Sequence, residues 1–244
     1  PIVFLAAKGA AVPPQVAASL VEDKEHRLSY VLARRGSALR FPKDAAGRRI
    51  GFLPTAAFQR WLDAILDRAG VSRASVQVVP VAPPLQAQTL AEGGVDLMFT
   101  NDPMATAMIV GGVADLVDDG APLATRLGDP FVFGTFVLSG SLATDRADET
   151  ARLVAALDEA ILAARARPID ALAAMAKYLR PEEPRSDLYP PTRYLASTEV
   201  AEGALMAEAR RERELGILPK VECAPPQPCN DLPVKEWHPP KASR

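Results

Sequence analysis

Short apolar runs alternate with helical stripes through the middle of the chain. Ile50-Gly51-Phe52-Leu53 is an apolar run bounded by Gly47-Arg48-Arg49 and Pro54-Thr55, and it predicts a strand. Apolar positions then recur at helical spacing through Phe58, Leu62, Ile65, Leu66 and Ala69. Gly70 stands where a helix C-terminal cap is expected. Val76–Val81 is the next strand, so a strand-helix-strand unit occupies about thirty residues.

The pattern continues with short connections. Leu85–Glu92 predicts a brief helix closed by Gly93-Gly94, and Val95–Thr100 a buried strand. Asp102 is a natural N-cap for a further helix, with Pro103 at its first position and Gly111-Gly112 at its end. Val113–Val117 is another strand. This alternation specifies an α/β lobe with a mainly parallel sheet. Phe131–Leu138 follows as a strand, and helices are expected over Asp148–Arg167, Ile169–Leu179 and Val200–Leu215. Ile2–Ala7, at the start, reads as a buried strand.

Composition narrows the function classes. The 244 residues carry 28 basic and 30 acidic side chains, a formal charge of -2, which gives no support for nucleic-acid binding. No apolar run approaches the ~20 residues of a membrane-spanning helix. Proline is over-used, with 23 residues, and seven of them fall between Pro219 and Pro240, which predicts an extended tail. Cys223 and Cys229 lie in that tail. Their spacing suits neither a redox Cys-x-x-Cys nor zinc, because too few further ligands stand nearby. A small disulfide-closed loop, which needs an oxidising compartment, is the preferred reading; two unpaired thiols are the alternative.

Catalytic motifs are missing. No Gly-x-Gly-x-x-Gly follows Ile50–Leu53, and no Walker loop or Gly-x-Ser-x-Gly elbow occurs, so dinucleotide, NTP and serine-hydrolase readings lose their support. The two histidines, His26 and His238, stand in a charged stretch and in the tail. Asp118-Asp119 is expected to be a water-facing turn after a strand. No cofactor and no metal are expected.

Gly47-Arg48-Arg49-Ile50-Gly51, the helix ending Arg68-Ala69-Gly70-Val71, and Val76-Gln77-Val78-Val79 resemble the second lobe of solute-binding proteins of the nitrate, sulfonate and thiamine-precursor type. Gln86–Gly94 before the strand Val95–Thr100 is similar too, as are Phe133–Leu138 and Asp148–Arg167, and the likeness runs from about Ile2 to Leu179. Asn101 departs from the pattern, since it stands where the family carries an aromatic residue. The resemblance implies a two-lobed, type II periplasmic-binding-protein-like α/β fold, with mainly parallel sheets flanked by helices and two crossing strands, Leu28–Arg34 and Phe133–Leu138. Residues 1–46 would be part of lobe 1 and the first crossing strand, 47–128 lobe 2, 129–218 the return crossing and lobe 1 helices, and 219–244 the tail. Ile2–Ala7 would follow an upstream half-lobe, so a further segment or complementing chain is expected.

The implied function is that of the solute-binding component of an ABC-type uptake system. It would take a small anionic or heteroaromatic solute, without chemistry, and work with a membrane permease in the periplasm or another extracytoplasmic space. Alternatives on the same fold are an enzyme acting on a thiamine precursor and a ligand-sensing domain. The enzymes of this type use a His and Cys cluster that has no counterpart here.

In open parallel sheets, ligands sit outside the carboxyl ends of the strands. The expected binding residues are therefore Thr55 and Ala56, Asn101 and Asp102, with Gly134 and Thr135 from the crossing strand. Three of these residues have a simpler reading. Thr55 is as readily a helix cap as a ligand contact, whereas Asp102, with Pro103 after it, reads first as a cap. Thr135 could simply pack. Asn101 has donor and acceptor and no obvious capping duty.

Overall fold

The strong 3.6-residue stripe after Thr55 forms helix α1 (Ala56–Arg68), burying Phe58, Trp61, Leu62, Ile65 and Leu66. Gly70 ends it at φ 70°, a left-handed conformation that suits glycine, and Val71 N donates to Leu66 O. The computed structural model describes residues 10–175, 177–178, 189–200, 204–218 and 235–238. The expected strand Ile2–Ala7 and the cysteines at 223 and 229 lie outside the described residues. Among those residues no helix is long and apolar enough to cross a membrane.

The remaining elements are strands β1 (Gln15–Glu22), β2 (Ser29–Arg34), β3 (Arg49–Phe52), β4 (Gln77–Pro80), β5 (Leu97–Asn101), β6 (Ala114–Leu116), β7 (Phe131–Leu138), β8 (Arg193–Leu195) and β9 (Lys235–Glu236). The helices after α1 are α2 (Gln86–Ala91), α3 (Met104–Val110), α4 (Pro122–Arg126), α5 (Gly140–Asp145), α6 (Ala147–Ala166), α7 (Pro168–Met175) and α8 (Ala204–Glu214). Contacts divide the chain into two units. One comprises Glu22–Phe131 and Ile169–Thr192; the other comprises Pro1–Val21, Val132–Pro168 and Arg193–Arg244.

The unit beginning at Glu22 is built on a five-stranded sheet in the order β4-β3-β5-β2-β6. Parallel pairing joins β3 to β4 and to β5, as the strand-helix alternation requires. The other half is antiparallel, with β2 between β5 and β6, so the sheet is mixed. One face packs Leu32, Leu90, Val95, Met98 and Met108 into a core. Aromatic rings link Phe99 of β5 to Phe58, Phe58 to Trp61 and Trp61 to Phe131, with centroids 5.1, 5.2 and 5.3 Å apart.

Leu28–Arg34 was expected to cross between lobes, yet β2 is an interior strand whose first five residues are buried. An all-apolar Tyr30–Ala33 run fits a strand covered on both faces, and hydrogen bonding on both edges locks it into this sheet.

The other unit has a sheet in which β1 lies between β7 and β8, with β9 also pairing β1. Strand β1 was not anticipated. Its Ala17, Ala18 and Ser19 give it little β-propensity, and burial of both faces rather than alternation stabilises it. Ala17 packs with Leu138 and Val154, and Ala18 with Ile161 and Ala196, so small strand residues let α6 approach closely.

Candidate functional site

The sheet register of the Glu22–Phe131 unit collects several segments at one edge. Phe52 pairs with Phe99, so the chain leaves β3 at Leu53-Pro54-Thr55 where β5 ends at Asn101. Asn101 pairs with Ser29, which brings in the start of β2, and Val117 N donates to Val31 O, which brings in the residues after β6. Thr55, Ala56, Asn101 and Asp102 thus share this edge. Gly134 and Thr135 lie on β7 in the other unit, where a Cβ at Gly134 would only touch Leu20 at 3.8 Å. Glycine is therefore not sterically required at 134.

Each residue has a definite local role. Thr55 is the N-cap of α1, its Oγ1 accepting from Phe58 N at 3.2 Å. The N–H groups of Ala56 and Ala57, in the first turn, have no acceptor within the helix. Ala56 is exposed and Ala57 buried. Asn101 is the last residue of β5 rather than a loop residue, half-buried, and its carboxamide makes no hydrogen bond among the described residues. That is the uncommitted donor and acceptor expected of a ligand contact.

The N-cap position of α3 is Pro103, which was expected to be its first helical residue, yet the Asp102 side chain still accepts from the helix's first turn. The helix starts at Met104, and Asp102 Oδ1 accepts from Thr106 N at 3.0 Å and from Thr106 Oγ1 at 2.7 Å. Its Oδ2 accepts from the Tyr30 hydroxyl at 2.7 Å. Burial first, then the Asp102 charge and this hydrogen bond, push the Tyr30 hydroxyl above its ordinary range. Asp102→Ala is expected to lower stability by about 1–2 kcal/mol, through the lost cap and the orphaned phenol, and to leave solute affinity nearly intact. Melting curves read beside calorimetry check this.

The edge also holds groups that the sequence pattern did not single out. Glu22 is fully buried, and its Oε2 accepts from Leu28 N at 3.0 Å, Ser29 N at 2.5 Å and Ser29 Oγ at 2.6 Å. Its Oε1 accepts from Ala124 N, in α4, at 2.8 Å. Burial pushes this carboxyl above its usual range, against the pull of those donors. Asp118 was expected to face water, but its side chain is buried. Its Oδ1 accepts from Arg27 Nη1 at 2.6 Å and its Oδ2 from Val31 N at 2.7 Å. Burial raises the Asp118 carboxyl, and Arg27 opposes that shift. Asp119 meets expectation, being exposed and paired with Arg126. The guanidinium of Arg27 also lies over the Tyr30 ring, 5.3 Å from its centroid. His26 Nδ1 lies 2.9 Å from Asp23 Oδ1, in the turn that leads into β2.

This architecture matches solved structures. The alkanesulfonate-binding protein SsuA from Xanthomonas axonopodis pv. citri bound to MOPS aligns with a TM-score of 0.64 and 21% identity, over 90% of this chain and 74% of that one. The periplasmic aliphatic sulphonate binding protein SsuA from Escherichia coli aligns with a TM-score of 0.64 and 18% identity, over 90% and 74%. A mutant of DszB in complex with biphenyl-2-sulfinic acid aligns with a TM-score of 0.63 and 18% identity, over 86% and 75%. At these identities the likeness establishes the fold, that of two-lobed α/β binding proteins. No curated protein sequence gives a significant match. The profile described as NMT1/THI5 like matches residues 3–171, more than half of the chain, and the chain belongs to that family.

Proposed function

We propose that the protein is a solute-binding protein that takes a small oxyanion at the strand-end edge of the Glu22–Phe131 unit, without chemistry. The observation that carries this reading is the uncommitted Asn101 carboxamide at the edge where the free first-turn N–H groups of α1 emerge. Hydrogen-bond donors of that kind favour an anion. The bound molecules in two of the fold's relatives, MOPS and biphenyl-2-sulfinic acid, both carry a sulfur oxyanion, which supports the class. The fold and family further support an extracytoplasmic protein that delivers its solute to the permease of an ABC-type uptake system.

Calorimetric titration with MOPS and a series of linear alkanesulfonates tests the reading. Wild-type protein is expected to bind at least one of them. Asn101→Ala and Thr55→Ala should each weaken that binding by about 1–2 kcal/mol, the scale of one desolvated hydrogen bond. Wild-type affinity in both variants would place the site elsewhere.

A further inference from the structure

We propose that Arg27 is the specificity-determining residue of this edge, gripping the solute's oxyanion with the Nε and Nη2 side of its guanidinium. The inference rests on the solute-binding reading and adds to it the group that selects the ligand. Arg27 lies two positions before Ser29, whose pairing with Asn101 sets it at the same edge. Its side chain retains 20% exposure, whereas that of Asp118 behind it retains 1%. Nη1 is engaged by Asp118 at 2.6 Å, and Asp118 is itself fixed by Val31 N at 2.7 Å. The Tyr30 ring lies beneath the guanidinium, and its hydroxyl is tied to Asp102 at 2.7 Å. Nε and Nη2 donate to no acceptor among the described residues. A planar cation held in this way keeps two parallel N–H groups for a two-oxygen anion.

Asp118 offsets the charge of Arg27, and Asp102 adds another negative charge across the Tyr30 ring. Recognition therefore depends on the direction of two hydrogen bonds rather than on attraction to a basic surface. Lysine cannot supply this. An ammonium is a compact point charge without a planar fork, so one that pairs with Asp118 has no two parallel N–H groups left for a two-oxygen anion.

The test is calorimetry with 1-butanesulfonate and MOPS on wild type, Arg27→Lys and the doubly neutralised variant Arg27→Gln with Asp118→Asn. The double variant leaves no unpaired buried carboxylate, and circular dichroism with Trp61 fluorescence verifies folding of each protein. Both variants should bind at least tenfold more weakly than wild type. Binding by wild type with either folded variant within twofold of it would overturn the role of Arg27 and leave the solute-binding reading standing. Failure of wild type to bind either probe or any other small oxyanion would overturn the solute-binding reading itself.

Discussion

Glu22→Ala is expected to destabilise the Glu22–Phe131 unit by about 4 kcal/mol, roughly 1 kcal/mol for each of the four donors, three buried and one half-buried, that it leaves without an acceptor. Those donors come from the start of β2 and from α4, so one carboxylate ties three segments of the unit together. Urea unfolding followed by Trp61 fluorescence measures the loss, since Trp61 is buried in α1. The same group predicts a pH dependence. Burial raises the folded-state carboxyl above its ordinary value of 4.5, so the folded protein holds this proton more tightly than the unfolded chain. Stability from this source is complete below the ordinary value and is lost as pH rises through the raised one. Glu22→Gln removes the titration. The stability of wild type relative to Glu22→Gln should therefore be greatest in acid and decline as pH rises. An advantage that grows with pH would mean that the donors, not burial, dominate.

Phe99→Ala is expected to cost about 3–5 kcal/mol, the scale for truncating a buried aromatic residue. Phe99 is fully buried on β5, with its ring 5.1 Å from that of Phe58. Its loss opens a cavity between the sheet and α1, beside the ring contacts that continue through Trp61 to Phe131. Because β5 also ends at Asn101, the cavity should loosen the candidate site as well as the core. Urea midpoints and solute affinity measured on the same variant check both effects. A loss below about 1 kcal/mol would show that the sheet and α1 collapse readily around the missing ring.

The parts of the fold that were legible in the sequence are those with a strong period. Helix α1 could be read from its stripe, and β3, β4 and β5 from short apolar runs between turn residues. Strand β1 was not, because Ala17-Ala18-Ser19 carries neither alternation nor β-branched residues. The antiparallel placement of β2 was hidden for another reason. Pairing partners are not encoded locally, and a buried strand reads alike in a crossing and in a sheet interior.

That hidden pairing also concealed half of the candidate edge. Arg27 and Asp118 are separated by 91 positions, and only the register of β2 against β6 brings the start of one strand to the end of the other. Read alone, an acid pair after a strand looks solvated, and a basic residue in Glu22–Arg27 looks like part of a charged loop. Thr55, Asn101 and Asp102 were legible because strand ends in a parallel sheet are known in advance to face one way. The aspartate next to a helix start marked that start to within one residue, the N-cap position being Pro103 and Asp102 accepting from Thr106 N. The carboxylate of Glu22 gave no local signal at all, since its partners are spread from Leu28 to Ala124.

The most direct test of the solute-binding edge is an amide chemical-shift titration of isotope-labelled protein with 1-butanesulfonate. The largest saturable shifts are expected at Thr55, Ala56, Ala57, Asn101 and Asp102, with the Arg27 side-chain Nε–H moving at the same ligand concentrations. Saturable shifts confined to the opposite edge of the sheet, around Arg49 and Asp96, or no saturable shift with any small oxyanion, would contradict the assignment of this edge as the binding site.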